Sequence, residues 1–154
     1  MIRLCNPNSE NLTALIANVI PFSEDSEFIR PDLDHAAKAY GEIVRNGMGE
    51  IFVMEDDDTR DFIGALACLK APGLHDGKLM AIELFWYVTP KHRKGGKGLD
   101  LWYAFENWAK EQGCQQMAMI HMADSMPDIL EKLYISRGYR LLEKHYVKDI
   151  KKEG

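Results

Sequence analysis

Val88-Thr89-Pro90-Lys91-His92-Arg93-Lys94-Gly95-Gly96-Lys97-Gly98-Leu99 is the most informative stretch of this 154-residue chain. Before it, Leu79 to Val88 is nearly all apolar, as a central strand covered on both faces would be, and its one charge is Glu83. After it, Leu101, Trp102, Phe105, Trp108 and Ala109 share one helical stripe, with Gly113 at the expected C-cap. Strand, basic glycine loop and helix in that order make an anion site. Glycines let backbone amides approach a ligand, and the first helical turn presents unpaired N–H groups with partial positive charge. Phosphate or pyrophosphate is the natural guest. No Gly-x-x-x-x-Gly-Lys-Ser/Thr string occurs, and Leu101 stands where a dinucleotide fingerprint needs its third glycine. Taken alone, such a loop is more often a solvated turn, so its neighbours decide the reading.

Upstream, Met1 to Cys5 reads as a short strand running through Asn6-Pro7-Asn8-Ser9 into a capped helix. Leu12, Leu15, Ile16, Val19 and Ile20 recur at helical spacing until Pro21. An acidic loop with Glu24, Asp25 and Glu27 precedes a helix from about Asp34 to Asn46, closed by Gly47. Glu50 to Met54 and Phe62 to Leu69 form a hairpin about the polar turn Glu55 to Asp61. Downstream, Met117 to Met122 reads as a strand, Asp128 to Arg137 as an amphipathic helix ending at Gly138, and Tyr139 to Ile150 as a final strand. The order β-α-α-β-β-β-α-β-α-β indicates a mixed α/β (α+β) fold, residues 1–154 as one domain.

Composition narrows the function. A formal net charge of −5 argues against a surface built to wrap nucleic acid. The three cysteines, Cys5, Cys68 and Cys114, are widely spaced without C-x-x-C, and no histidines show ligand spacing, so neither a disulfide framework nor a metal is expected. No apolar run reaches the roughly 18 residues that span a bilayer, and Met1 to Pro7 lacks a signal-peptide layout. A cytoplasmic protein without membrane contact is the simplest expectation.

Arg93-x-x-Gly96-x-Gly98 between such a strand and helix resembles the acetyl-CoA loop of the Gcn5-related N-acetyltransferases, the GNAT superfamily. Leu133-Tyr134-Ile135-Ser136-Arg137-Gly138-Tyr139 resembles that family's later L-Y-x-x-x-G-F/Y segment. Glu83 to Val88, with Arg93 and the double glycine, is most similar to a branch of small acetyltransferases often found in phage genomes. The resemblance implies a sheet of six to seven strands with about four helices, whose splayed central strands bind acetyl-CoA as cosubstrate. It implies that the backbone of Trp86, Tyr87 and Val88 faces the pantetheine, and that Arg93, Lys94, Gly95, Gly96, Lys97 and Gly98 surround the pyrophosphate, with Lys91 adding charge. Many relatives carry an Asn seven residues before the motif tyrosine; Pro127 stands there in this chain, leaving Asp124 or Ser125 as replacements. Asp100 would repel phosphate if it pointed inward.

An alkylammonium acceptor has a pKa near 10.4, so deprotonation at pH 7 costs roughly 4 kcal/mol and calls for a base. Glu83, alone among apolar neighbours, is the leading general base, direct or through water, because burial raises a carboxyl pKa. A strand-edge position or an arginine partner would remove that role. The resemblance makes Tyr134 the general acid for the departing thiolate; without it, a packing aromatic is the ordinary reading. His121 is a reserve base. Met117, Met119, Met122 and Met126 read as core filling, and Cys114, with no histidine partner in view, supplies no case for an acyl-enzyme.

The favoured reading is an N-acetyltransferase acting on a primary amine of a small molecule or peptide by direct attack in a ternary complex. Aminoglycoside, polyamine, amino acid, peptide N-terminus and lysine remain open as acceptors. A second reading is a catalytically idle acyl-CoA-binding or regulatory module. A third, a nucleic-acid domain using Lys91 to Lys97 beside Trp86, Tyr87 and Trp102, fares badly because those aromatics fall on buried positions. Exposed positions of the last strand leave room for a homodimer.

Overall fold

The computed structural model describes residues 1–23, 26 and 30–151, so Glu24, Asp25 and Glu27 of the acidic loop lie outside the described residues. Strand β1 is Ile2–Leu4. Helix α1, Leu12–Val19, starts where the Asn11 side chain accepts the Ala14 N–H, later than the Asn6–Ser9 string suggests. A short turn of 3₁₀ helix, Ile20–Ser23, carries the chain through Pro21. Helix α2, Leu33–Arg45, is capped by Asp32, whose carboxylate accepts the His35 N–H. Then come β2 (Gly49–Glu55), β3 (Phe62–Pro72), β4 (Leu79–Val88), α3 (Lys97–Glu111), β5 (Gln116–Ala118) and α4 (Pro127–Ser136).

The strands lie in the order β1-β2-β3-β4-β5. The first four pair antiparallel and β4 pairs parallel with β5, which demands a crossover, supplied by α3. Alternating residues of the central strands feed a core on each face. On one face Ile51, Val53, Ala67 and Phe85 pack with Leu15, Ile16 and Val19 of α1 and Ala37 of α2. On the other Phe52, Leu66, Cys68 and Ala81 pack with Leu101, Phe105 and Ala109 of α3. The apolar run at Leu79 to Val88 is thus a strand covered on both faces. At the far edge, Arg3 binds both carboxylate oxygens of Glu10, at 3.0 and 2.7 Å, and Glu55 at 2.8 Å, tying β1 to β2 and to the approach to α1.

Two expectations are corrected. The described residues hold a five-stranded mixed sheet rather than six or seven strands, because Tyr139 to Ile150 forms no strand. Its apolar residues come in adjacent pairs, Leu141-Leu142 and Tyr146-Val147, so no period-two register puts them all on one face. Those side chains are exposed. Strand β5 also ends at Ala118 instead of reaching Met122, since the backbone of Ile120 is engaged by side chains. No helix among the described residues is long and apolar enough to cross a membrane.

Candidate active site

Where β5 stops, the central strand loses its neighbour. The β4–β5 ladder covers Met80, Ala81 and Ile82, and from Glu83 to Val88 no described strand lies against that edge of β4. A bulge starts the divergence: Cys68 faces Glu83 and Ala67 faces Phe85, leaving Leu84 as an extra residue. A bulge bends its strand and re-aims the side chains beside it. Glu83, 4% exposed, sits at the opening. Its carboxylate oxygen Oε2 accepts the Ile120 N–H at 2.9 Å, a side-chain bond in place of the missing ladder. Burial pushes the Glu83 carboxyl up to about 7, against the opposing pull of that N–H. Among the described residues no basic side chain forms an ion pair with it.

Tyr134, buried on α4, donates its phenolic O–H to the carbonyl of the same Ile120 at 2.9 Å. Burial, and then the nearby charge of Glu83, raise its pKa well above the ordinary phenol range, so the hydroxyl keeps its proton at neutral pH. Aromatic packing fixes its position. Trp102 of α3 makes edge-on contacts with Trp86 of β4, Tyr134 and Tyr139, at centroid distances of 5.6, 5.6 and 5.5 Å. Its indole N–H also donates to the Tyr139 hydroxyl at 3.2 Å. Such pairs contribute about 0.5–1.5 kcal/mol each beyond the area they bury.

The glycine loop lies at the other end of the opened edge. Gly95 and Gly96 hold φ of 102° and 80°, left-handed values that an L side chain resists, and a Cβ on either would meet nothing within 4 Å. Glycine is therefore required by backbone conformation, and the space beside it is open to a ligand. Gly98 is different. A Cβ there would come within 3.1 Å of the Trp86 ring, and the Trp86 indole N–H donates to the Gly98 carbonyl at 3.2 Å, so α3 starts directly against β4. Gly96 caps α3 without a side-chain bond to its amides, the condition under which a helix N-terminus accepts an anion. Lys91, Lys94 and Asp100 are exposed and Lys97 is half-buried. Arg93 turns back, donating from Nε to the Val88 carbonyl at 3.0 Å with its guanidinium 5.8 Å from the Tyr87 ring centre.

His121 bonds through Nδ1 to the Met122 carbonyl and packs against the Tyr134 ring, with centroids 6.2 Å apart, beside the acid candidate. Pro127 opens α4, while Asp124 is exposed and Ser125 half-buried in the preceding turn. Met117 and Met119 pack on the α3-side core, Met122 is half-buried and Met126 is exposed. Tyr87 and Trp102 are buried and Trp86 half-buried. No group of three or more His, Cys, Asp or Glu is placed to hold a metal among the described residues. Sequence reasoning missed Ile120, whose contribution comes through its backbone and leaves no residue-type signal. It also missed Tyr40 of α2, on which the Glu83 charge acts, and the role of Trp102 in seating Tyr134.

The chain belongs to the Acetyltransferase (GNAT) family, whose description matches residues 18–140, and is with it an N-acetyltransferase. A search of curated protein sequences returned no significant match. Among solved structures, an aminoglycoside acetyltransferase from an uncultured soil metagenomic sample, in complex with sisomicin, aligns with a TM-score of 0.72 at 16% identity, covering 98% of this chain and 96% of that one. The ribosomal-protein-alanine N-acetyltransferase from Brucella melitensis biovar Abortus 2308 aligns at 0.69 and 17% identity, covering 97% and 99%. AAC(6')-Iy in complex with the bisubstrate analog CoA-S-monomethyl-acetylneamine aligns at 0.71 and 19%, covering 98% and 97%. These likenesses are ones of fold.

Proposed function

We propose that the chain transfers an acetyl group from acetyl-CoA to a primary amine by direct attack in a ternary complex, with Glu83 as the base, direct or through water, and Tyr134 as the acid. The observation that carries this is a single backbone residue, Ile120, bonded to a buried carboxylate and a buried phenol beside an opened strand edge. Acetyl-CoA supplies an activated thioester acyl group. The protein's groups fit such a cosubstrate: Trp86, Tyr87 and Val88 lie on the edge of β4 that no described strand covers, open space adjoins Gly95 and Gly96, and the start of α3 lacks a side-chain cap. Arg93, Lys94, Gly95, Gly96, Lys97 and Gly98 are assigned to the pyrophosphate.

Glu83, with a carboxyl pKa of about 7, is about half ionised at neutral pH and is matched to receiving a proton from an ammonium acceptor. Tyr134 holds a proton at the same pH and can give it to the departing thiolate. The amine class is proposed from the comparisons, which include proteins named for aminoglycosides and for a ribosomal-protein alanine. Thermal denaturation with CoA and acetyl-CoA, followed by a screen of aminoglycosides, polyamines and peptide N-termini, tests the reading. Cosubstrate at a hundred times its dissociation constant should stabilise the fold by about 2.7 kcal/mol. Failure of either to raise the melting temperature at millimolar concentration overturns it.

A further inference from the structure

We infer that Ile120 is a main-chain positioning residue of the transfer site: its N–H holds the Glu83 carboxylate and its C=O holds the Tyr134 phenol, so one backbone residue sets the placement of both groups. The inference rests on the proposed roles of Glu83 and Tyr134. Both bonds measure 2.9 Å. They reach Ile120 from different elements, β4 and α4, and they meet at the residue where a ladder continuing β5 would have used the same backbone groups. The two side chains thereby hold β5 away from β4 beyond Ile82. Closing the gap would require breaking both bonds, and Glu83 would lose the one hydrogen-bond donor among the described residues that stabilises its charged form.

The groups facing Glu83 leave that donor as the adjustable element. Cys68 from β3, Tyr40 from α2 and Tyr134 from α4 all have pKa values raised by burial first, with the Glu83 charge adding to each, so all three stay neutral from pH 5 to 9. His121, whose ring is tilted against that of Tyr134, and Asp124 are the titratable residues of the segment between β5 and α4. A hydrogen bond to a charged group is strong enough that its loss should move a carboxyl by about one pH unit or more.

Two measurements test this. In the wild-type protein, the Ile120 amide resonance should titrate with a midpoint near 7, following the carboxyl it binds, and should stop titrating in Glu83→Gln. His121→Gln should leave the midpoint in place. A flat Ile120 amide, or a titration abolished by His121→Gln, overturns the inference. The second measurement replaces Ile120 by its α-hydroxy acid analogue, exchanging the N–H for an ester oxygen while keeping the side chain and the carbonyl that Tyr134 uses. The Glu83 midpoint and the acidic limb of the pH–rate profile should both move up by about one unit, an about tenfold rate loss at pH 6 that closes above pH 9. Ile120→Val, which keeps the N–H, should leave the Glu83 midpoint in place. An unmoved limb in the ester variant, alongside a limb abolished in Glu83→Gln, defeats the role of Ile120 and spares that of Glu83. A Glu83→Gln enzyme with an unchanged profile defeats the proton-transfer reading instead, while the amide titration still decides whether Ile120 holds the carboxylate.

Discussion

Glu83→Gln should make the protein more stable and less active at the same time, and the size of the stability gain follows from the burial of the carboxyl. Glu83 ionises near its ordinary 4.5 in the unfolded chain and at about 7 in the folded protein. The folded state therefore keeps the proton to higher pH than the unfolded chain does. Stability from this residue is greatest below pH 4.5, falls as pH rises to about 7, and above that carries the full cost of a buried charge. The gap between the two values corresponds to about 3 kcal/mol. Glutamine keeps the shape, can accept the same Ile120 N–H and never ionises, so the variant avoids that cost. For a domain of this size, 1 kcal/mol moves the melting temperature by about 2–4 °C, so Glu83→Gln should melt about 6–12 °C above wild type at pH 8. The difference should shrink to about 2–3 °C at pH 5 and vanish near pH 4, where the carboxyl is largely protonated in the folded and the unfolded chain alike. Acetyl transfer followed by thiol release should fall about a hundredfold or more at pH 7. Differential scanning fluorimetry across pH 5 to 8 is the deciding assay. A melting-temperature difference that stays constant over that range would refute the buried-charge reasoning, whatever the rate does.

Tyr134→Phe should lower kcat by about a hundredfold or more with little change in KM for acetyl-CoA, and cost about 1 kcal/mol through the lost bond to the Ile120 carbonyl; full turnover would remove the phenol from the mechanism. Gly96→Ala places a side chain at φ 80° in open space, so it should cost about 1–2 kcal/mol from backbone conformation alone and reduce the thermal shift produced by CoA. An unaltered CoA shift would detach this loop from the cosubstrate. Arg3 holds Glu10 below the ordinary carboxylate range by hydrogen bonding, which stabilises the fold above pH 4.5 and is lost as pH falls through the depressed pKa of Glu10. Arg3→Met should therefore lose about 2 kcal/mol at pH 7 and progressively less as pH falls below 4.5, measured by denaturant unfolding; a loss that does not shrink with falling pH would show that the ion pairs are not the cause.

Much of the candidate site was legible because single residues carry its signals. A lone carboxylate in an apolar run, glycines between a strand and a helix, and a tyrosine four residues before a helix-ending glycine are local patterns. The first two led to Glu83 and to Gly95, Gly96 and Gly98, whereas Tyr134 was singled out by the family resemblance of its segment. Arg93 shows the limit. Its place in the motif was readable, but its side-chain partners, the Val88 carbonyl and the Tyr87 ring, were not. The last strand failed for a related reason. Tyr139 to Ile150 reads as a strand by its place after α4, but its apolar residues share one face in no period-two register, so nothing buries them together.

Sequence alone determined which segments become helices and which strands through most of the chain, because helical and strand periodicities are properties of nearby residues. It also settled where glycine conformations are required, since only glycine adopts those left-handed angles without strain. Tertiary structure decided the rest. The ending of β5 at Ala118 depends on a carboxylate from β4 and a phenol from α4 reaching the same backbone residue, and neither is adjacent to it in the chain. The elevated pKa of Glu83 likewise comes from desolvation by elements that close around it only when the sheet and helices are assembled.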